Sequence, residues 1–118
     1  MNKETLFVEE HRDLSAKEVD LIKWLLTKTN HSEFIEQIGK TKVVSKCSCG
    51  CPTVDLQVEG YESKPVRFVL SAEGFSPEGI AVGVILHVRN GLVSELEVYS
   101  QDGTKVFGLP EIDRLQVL

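Results

Sequence analysis

The chain has no excess of basic residues and no long apolar run. The chain contains thirteen Lys and Arg residues and eighteen Asp and Glu residues, which gives a formal net charge of −5. Nucleic-acid binding depends on clustered cations that contact phosphates, so this balance argues against a nucleic acid as a partner. A helix that crosses a bilayer needs about 18 apolar residues in succession. The sequence contains no such run and no lysine-rich amphipathic stretch, so we expect no membrane partner either.

The first ten residues lack the pattern of an export signal. Only Leu6, Phe7 and Val8 form an apolar stretch there, and two glutamates follow. A secretory signal peptide needs an apolar segment of at least about seven residues. We therefore expect a cytoplasmic protein whose cysteines are reduced thiols.

No catalytic signature is recognisable. Residues 73–79 include Gly74 and Gly79, but they lack the lysine and the strand–turn–helix context of a phosphate-binding loop. Ser48 has no histidine and aspartate at the spacing of a nucleophile elbow. These absences favour a protein that is not an enzyme, without excluding one.

The overall amino-acid composition is typical of one small domain, and we expect residues 1–118 to form it. Hydrophobic residues make up 42% and charged residues 26% of the chain, close to the globular average. A chain of this length buries about two-thirds of its unfolded surface, so it can fold without a metal or a disulfide. The hydrophobic period changes near Gly39, which predicts a helical part, residues 1–40, followed by a sheet part, residues 41–118.

The helical part contains one strong start signal. Ser15 and Glu18 form a capping box, flanked by the hydrophobic staple of Leu14 and Val19. Apolar residues then recur at helical spacing, which predicts a helix from about Ala16 to Lys28. A second short helix would begin at Asn30 or Ser32 and end at a left-handed Gly39.

After residue 41, alternation and β-branched residues predict five strands. Their expected ranges are 42–46, 53–59, 66–72, 80–89 and 92–100. The expected fold is α+β, with two N-terminal helices packed on one face of a roughly five-stranded, mainly antiparallel sheet.

The last two strands form a hairpin around Asn90 and Gly91. A two-residue turn would pair Val84 with Glu97 and place carboxylates on the apolar face. A three-residue loop, residues 89–91, with Gly91 as a bulge would pair Val84 with Leu96 and Val82 with Val98, and we expect this register. The face beneath the helices would then carry Ile80, Val82, Val84, Leu86, Val88, Leu92, Leu96 and Val98. The other face would carry Ala81, Gly83, Ile85, His87, Val93, Glu95, Glu97 and Tyr99.

Three cysteines alternate with other residues in segment 46–52 and form what we term the cysteine cluster: Cys47, Cys49 and Cys51. In an extended strand their side chains share one side with about 7 Å between successive Cα atoms, too far for an unstrained disulfide. A bend at Gly50 would allow them to share a soft metal ion. Zinc would need a fourth ligand, for which the candidates are the histidines His11, His31 and His87.

The spacing of the cysteine cluster does not decide its role. It differs from the two-residue gap of zinc knuckles and redox pairs. Cysteine also packs in strands and turns as a small apolar residue. Packing, metal binding and thiol redox chemistry are the three interpretations.

A second group, which we term the hairpin polar set, comprises His87, Glu95, Glu97 and Tyr99. An imidazole and paired carboxylates can exchange protons or share a hard cation, and a glycine opposite Glu97, Gly83, would leave a shallow cleft above that carboxylate. The same residues are typical of a solvated antiparallel face or of a recognition surface.

Two segments resemble a known group of proteins. Residues 47–55 begin Cys-Ser-Cys-Gly-Cys-Pro-Thr, and residues 94–99 read Ser-Glu-Leu-Glu-Val-Tyr. Together with the hairpin 83–100, they resemble a family of short bacterial hypothetical proteins that pair a Cys-x-Cys-Gly-Cys stretch with this hairpin. The resemblance covers most of the chain and implies a bacterial protein, but it implies no activity and no catalytic residue.

These observations predict a small, non-enzymatic binding protein. The hairpin polar set would contact a protein partner or a second copy of the chain. The alternative is a protein that binds a soft metal or zinc through the cysteine cluster, with Zn²⁺ or Cu(I) as the candidate ions. A third hypothesis is a small hydrolase that uses Glu95 or Glu97, which would require a raised pKa in a concave, partly dry pocket.

Overall fold

The computed structural model describes residues 7–118, which form one antiparallel sheet of seven strands with an α-helix and a long 3₁₀ helix. The segment considered for an export signal lies partly outside that range. The α+β class predicted from the sequence is confirmed. The elements follow the order β1 (Phe7–Asp13), α1 (Ala16–Lys28), a 3₁₀ helix (Ser32–Lys40), β2 (Thr41–Cys47), β3 (Val54–Val58), β4 (Phe68–Phe75), β5 (Ala81–Arg89), β6 (Leu92–Ser100), a 3₁₀ turn (Ile112–Arg114) and β7 (Gln116–Val117).

The strand count and the position of the helices differ from the prediction. The described sheet has the order β1-β2-β3-β6-β5-β4-β7, so strands missed in the sequence form both of its edges. Strand β1 precedes α1, and the chain is therefore not divided into helices followed by strands. Its central residues Glu9, Glu10, His11 and Arg12 are all polar, so β1 lacks the apolar alternation by which a half-buried strand is recognised.

Helix α1 has the start and end that the sequence predicts. The Ser15 side chain accepts from the amide of Glu18, and the Glu18 carboxylate accepts from the amide of Ser15, which completes the capping box. The helix ends where Asn30 turns left-handed, with φ 65°, and the amide of His31 donates to the carbonyl of Leu26 at 2.8 Å. This reversal is a Schellman closure.

The second helix is a 3₁₀ helix, and the left-handed closure expected at Gly39 is wrong. Gly39 does not have a positive φ angle; the left-handed residue in this region is Asn30, which precedes the 3₁₀ helix. The chain passes directly from the 3₁₀ helix into β2 at Thr41, whose conformation is extended. A left-handed residue would reverse the chain at this point, and no reversal is needed.

One face of the sheet, the core face, packs against α1 and the 3₁₀ helix. Helix α1 buries Leu21, Ile22, Leu25 and Leu26 against it. The sheet side chains that meet this stripe are Val43, Val54, Leu56, Val58, Leu70, Ala72, Val82, Val84, Leu86, Val88, Val93, Leu96 and Val98. This continuous apolar layer is the main source of stability, because burial of apolar area drives folding.

The hairpin register differs from the one we expected. The turn contains two residues, Asn90 and Gly91, both with positive φ, as a type I′ turn requires. The bulge lies further along β6, where Ser94 is the additional residue between the pairs Val88–Val93 and His87–Glu95. Val84 therefore pairs with Val98 rather than with Leu96, and Leu86 pairs with Leu96.

The bulge changes the face of one apolar residue. Val93, expected on the far face, is 1% exposed and part of the core, whereas Leu92 is only partly buried. Beyond Ser94 the alternation resumes with Leu96 and Val98 in the core. The additional residue is needed because Val93 and Leu96 are three positions apart, and regular alternation cannot place both on one face.

Candidate functional site

The face opposite the core, the open face, carries the hairpin polar set. Strand alternation assigns side chains to it, and α1 and the 3₁₀ helix both pack on the core face. The open face includes Ser45, Asp55, Val69, Ser71, Glu73, Phe75, Ile85, His87, Arg89, Glu95, Glu97 and Tyr99. The hairpin polar set therefore lies on the face away from the helices, as we expected. The register that places it there differs from the one we expected.

The cysteine cluster lies at the reversal between β2 and β3. Cys47 is the last residue of β2, and its amide donates to the carbonyl of Thr53 at 3.1 Å, which closes the reversal. Gly50 adopts φ 96°, a left-handed conformation that glycine adopts without steric cost. The bend at Gly50 turns the chain back on itself, so the three cysteines do not remain extended.

The three sulfur atoms converge. Sγ of Cys49 lies 2.8 Å from Sγ of Cys47 and 2.9 Å from Sγ of Cys51. All three sulfurs lie within 4.8 Å of one another. Two backbone amides also point at sulfur: that of Cys49 at Sγ of Cys47, and that of Cys51 at Sγ of Cys49. These separations exceed the S–S bond length of about 2.05 Å, and the three residues are free thiols.

The thiols do not ionise alike. Burial lifts the pKa of Cys47 to about 12, and hydrogen bonding with Cys49 adds to the effect. Burial also opposes ionisation of Cys49, but hydrogen bonds from Cys47, from Cys51 and from backbone amides outweigh it, and the pKa of Cys49 is lowered. Cys49 therefore ionises before Cys47.

The cluster is open to solvent on one side and packed on the other. Cys49 is exposed, whereas Cys47 and Cys51 are partly buried, and Cys51 packs against the hydrophobic core. A Cβ added at Gly50 would lie 3.0 Å from Cγ2 of Val106, so the segment after β6 supports the turn. No histidine or carboxylate of residues 7–118 joins the three sulfurs within 4.8 Å, and His11, His31 and His87 do not supply the fourth ligand.

The hairpin polar set is only partly brought together. One ligand atom from each of His87, Glu95 and Glu97 lies within 4.8 Å of the other two, and Nε2 of His87 lies 2.8 Å from Oε1 of Glu97. Tyr99 does not belong to this group. It pairs with Gly83, which we expected opposite Glu97, and its ring fills the space above the glycine. The predicted cleft above Glu97 is therefore absent.

Diagonal contacts explain which partners meet. Glu95 is directly opposite His87 and Glu97 is opposite Ile85, yet His87 contacts Glu97. Residues on a diagonal of two antiparallel strands are about 7–8 Å apart at Cα, within reach of long side chains. The partner of Glu95 is a different basic residue, Arg89, whose Nη2 donates to Oε1 of Glu95 at 3.0 Å.

Two residues of this group were missed in the sequence. Asp55 on β3 pairs with Glu95 and accepts from the hydroxyl of Ser45 at 2.9 Å. Arg89 follows His87 by two positions, so alternation alone places it on the same face. Asp55 likewise lies between the core residues Val54 and Leu56. Its face could be predicted, but its neighbour across the sheet could not.

The cysteine cluster and the His87–Glu95–Glu97 group occupy neighbouring parts of the sheet. Lys46 pairs with Val54, and Val54 pairs with Leu96, so the next positions Cys47, Thr53 and Glu97 lie in line across three strands. Two strand spacings separate the Cα atoms of Cys47 and Glu97 by roughly 10 Å. The two groups are close but do not share ligand atoms.

Comparisons with known proteins give no family. No protein-family model, no curated protein and no solved structure matches the chain. The resemblance to short bacterial hypothetical proteins therefore stays a prediction. Within residues 7–118, none of the helices has the length and apolar character to traverse a membrane.

Proposed function

We propose that this protein binds a soft metal ion through the thiolates of Cys47, Cys49 and Cys51. The single observation that carries the proposal is the convergence of three sulfurs in a turn, within 4.8 Å of one another. Cysteines that serve only as small apolar residues are buried separately among carbon atoms. Here Cys49 is exposed, and its sulfur contacts the sulfurs of both other cysteines.

Electrostatics favours a cation at this position. Burial opposes ionisation of Cys49, but hydrogen bonds with neighbouring thiols and amides outweigh it and lower its pKa. Ionisation of Cys47 is opposed, and its pKa is raised to about 12. A bound cation would stabilise all three thiolates and displace their protons, as metal binding to thiols does. Metal affinity is accordingly expected to rise with pH.

The ligand count favours Cu(I). Thiolates select Cu(I) and zinc among biological ions, and structural zinc sites have four protein ligands. Three sulfurs without a fourth protein ligand among the described residues suit an ion of lower coordination number. Zinc would need an external ligand at the exposed side of Cys49.

The test is a metal titration of the reduced protein under anaerobic conditions. Cu(I) is added in competition with a chromogenic chelator, and thiolate-to-copper charge-transfer absorption is followed; Zn²⁺ is titrated in parallel. We expect one equivalent to be bound and binding to be lost when all three cysteines become serine. The matched control is Ser48→Ala, which changes the same turn without removing a ligand. Failure of both ions to bind, or equal binding by the triple-serine variant, would overturn the proposal.

A second candidate function is recognition of a basic protein through the open face. It is favoured by the exposure of Val69, which is 55% exposed, and of Tyr99, which is 38% exposed. Strand pairing places the carboxylates of Glu73, Glu95 and Glu97 on the same face. Two copies of this face would bring like charges together, which disfavours its pairing with a second copy. Apolar area with complementary charge is typical of an interface.

This candidate has a direct test. Light scattering is expected to show a monomer, and a short lysine-rich peptide containing leucines is expected to shift the amide resonances of β4 and β6 but not those of α1. A Val69→Lys variant should weaken the shifts, whereas Lys23→Ala on the exposed side of α1 should not. A stable dimer, or shifts spread evenly over both faces, would contradict it.

A further inference from the structure

We propose that the open face holds a second, separate metal site, in which Nε2 of His87 and one carboxylate oxygen each from Glu95 and Glu97 bind a divalent first-row transition ion. One ligand atom from each of the three residues lies within 4.8 Å of the other two in the described structure, and Nε2 of His87 is the nitrogen that contacts Glu97. The inference does not depend on the cysteine cluster, with which the group shares no ligand.

The spacing of the ligand atoms fits a metal ion. Nε2 of His87 and Oε1 of Glu97 are 2.8 Å apart. Ligands that occupy neighbouring corners of an octahedron at about 2.0–2.1 Å from an ion are separated by about 2.9 Å. An ion can therefore replace the proton shared by His87 and Glu97 without a large movement of either side chain.

The third ligand is held in place before an ion binds. The Glu95 side chain is 8% exposed, and Arg89 bonds to its Oε1 at 3.0 Å. Outer hydrogen bonds of this kind orient metal ligands. His87 and Glu95 stand on paired positions of two central strands, a rigid scaffold for a site.

The local charge favours a cation. Asp55 pairs with Glu95 on the next strand, and Glu97 follows Glu95 by two positions on β6, so three carboxylates belong to this part of the open face, and Arg89 forms an ion pair with one of them, Glu95. The Glu97 side chain is 39% exposed, which leaves an approach for the ion and positions for water ligands. An imidazole with two carboxylates suits Zn²⁺, a borderline ion, and Mn²⁺, a harder one, rather than Cu(I).

A second histidine–glutamate pair, between His11 and Glu9, provides a comparison with an ordinary surface contact. Nε2 of His11 lies 2.7 Å from Oε1 of Glu9, but the two side chains are 68% and 79% exposed, and no third ligand from residues 7–118 joins them. Such exposed ion pairs are weak and common. The buried carboxylate of Glu95 distinguishes the His87 group from this pair.

The experiment uses a variant in which all three cysteines are serine, so that the thiolates cannot bind the probe. Zn²⁺ is titrated by calorimetry at neutral pH. We expect one equivalent to bind, and His87→Ala and Glu97→Gln to weaken binding by at least about tenfold. The matched control is His11→Ala, which removes the comparable surface imidazole and should leave binding unchanged.

A second measurement applies to the wild-type chain and does not depend on the folding of the triple variant. Substoichiometric Mn²⁺, a hard ion that thiolates bind poorly, should broaden the ring resonances of His87 and spare those of His11 and His31. Absence of Zn²⁺ binding, binding that survives His87→Ala, or equal broadening of all three histidines would overturn the site. None of these outcomes bears on Cu(I) binding by the cysteine cluster, so the two proposals can fail separately.

Discussion

The ring of Tyr99 lies across Gly83 on the neighbouring strand. The two residues are directly paired, and a Cβ added at Gly83 would come within 2.3 Å of Cζ of Tyr99. Glycine weakens a central strand because it has no side chain to pack. An aromatic ring placed over the glycine restores that packing. The pair therefore shields the backbone of β5 on the otherwise open face.

Replacing Gly83 with alanine should displace the Tyr99 ring. The ring is the end of a side chain and can swing into solvent, so we expect a loss of about 1 kcal/mol from lost packing and local strain. Denaturant unfolding measures the loss, and the ring-current shift of the residue 83 Hα should disappear. The control is Gly39→Ala, because a Cβ at Gly39 meets nothing within 4 Å. Equal stability with an unchanged ring-current shift would contradict the contact.

The sequence predicts well those elements that local interactions determine. The capping box at Ser15 and the helical apolar spacing identify both ends of α1. Alternation identifies the five central strands to within a few residues. Strand β1 could not be recognised, because it has an edge position and polar central residues. Pairing with β2 and the ion pair between Arg12 and Glu18 hold it in place, and these contacts are tertiary.

The two candidate groups were predictable to different degrees. Alternation places His87, Glu95 and Glu97 on one face, but the partner of His87 depends on the register, which the bulge at Ser94 determines. The apolar spacing from Val93 to Leu96 was the available signal for that bulge. The need for a bend at Gly50 was visible from the sequence. The separations of the sulfurs were not, since they depend on the three-dimensional path of the turn, which also contacts the distant Val106.

Thr53 is expected to act as part of the β3–β6 ladder. Its hydroxyl donates to the carbonyl of Val98 at 2.9 Å and accepts from the amide of Val98 at 2.8 Å. Thr53→Val keeps the shape but leaves both buried backbone groups without this partner, so we expect a loss of about 2 kcal/mol. Thr53→Ser keeps the hydroxyl and should lose much less. A smaller loss for Thr53→Val than for Thr53→Ser in thermal or denaturant unfolding would show that the methyl group, not the hydroxyl, is important.

Gln37 fastens the tip of the β5–β6 hairpin to the 3₁₀ helix. Its amide nitrogen donates to the carbonyl of Gly91 at 2.8 Å, and its carbonyl accepts from the amide of Val93 at 3.0 Å. Gln37→Met preserves length and bulk but removes both bonds, and we expect a loss of about 2 kcal/mol. Hydrogen exchange at Val93 should accelerate as well. The same substitution at the exposed Gln57 is the control, and a comparable loss there would refute a specific role for Gln37.

Glu18 should make the fold sensitive to acid. Its side chain is 4% exposed and bonds to Arg12 through both oxygens and to the amide of Ser15. Burial opposes ionisation, but these hydrogen bonds and the guanidinium charge outweigh it, and the pKa of Glu18 is lowered in the folded protein. A carboxyl whose pKa is lower in the folded than in the unfolded chain stabilises the fold above its unfolded pKa of about 4.5. That contribution is lost as the pH falls through the folded pKa.

We therefore expect Glu18→Gln to cost about 2 kcal/mol at neutral pH, because hydrogen bonds to a charged group are replaced by weaker ones. The difference between wild type and variant should shrink as the pH falls below about 4.5. Denaturant unfolding at several pH values measures both curves, with the exposed Glu62→Gln as the control. A difference in the free energy of unfolding that stays constant from pH 7 to pH 3 would contradict this role. It would mean that Glu18 stabilises β1 and α1 by its shape alone, because an ion pair with Arg12 requires an ionised carboxylate and therefore depends on pH.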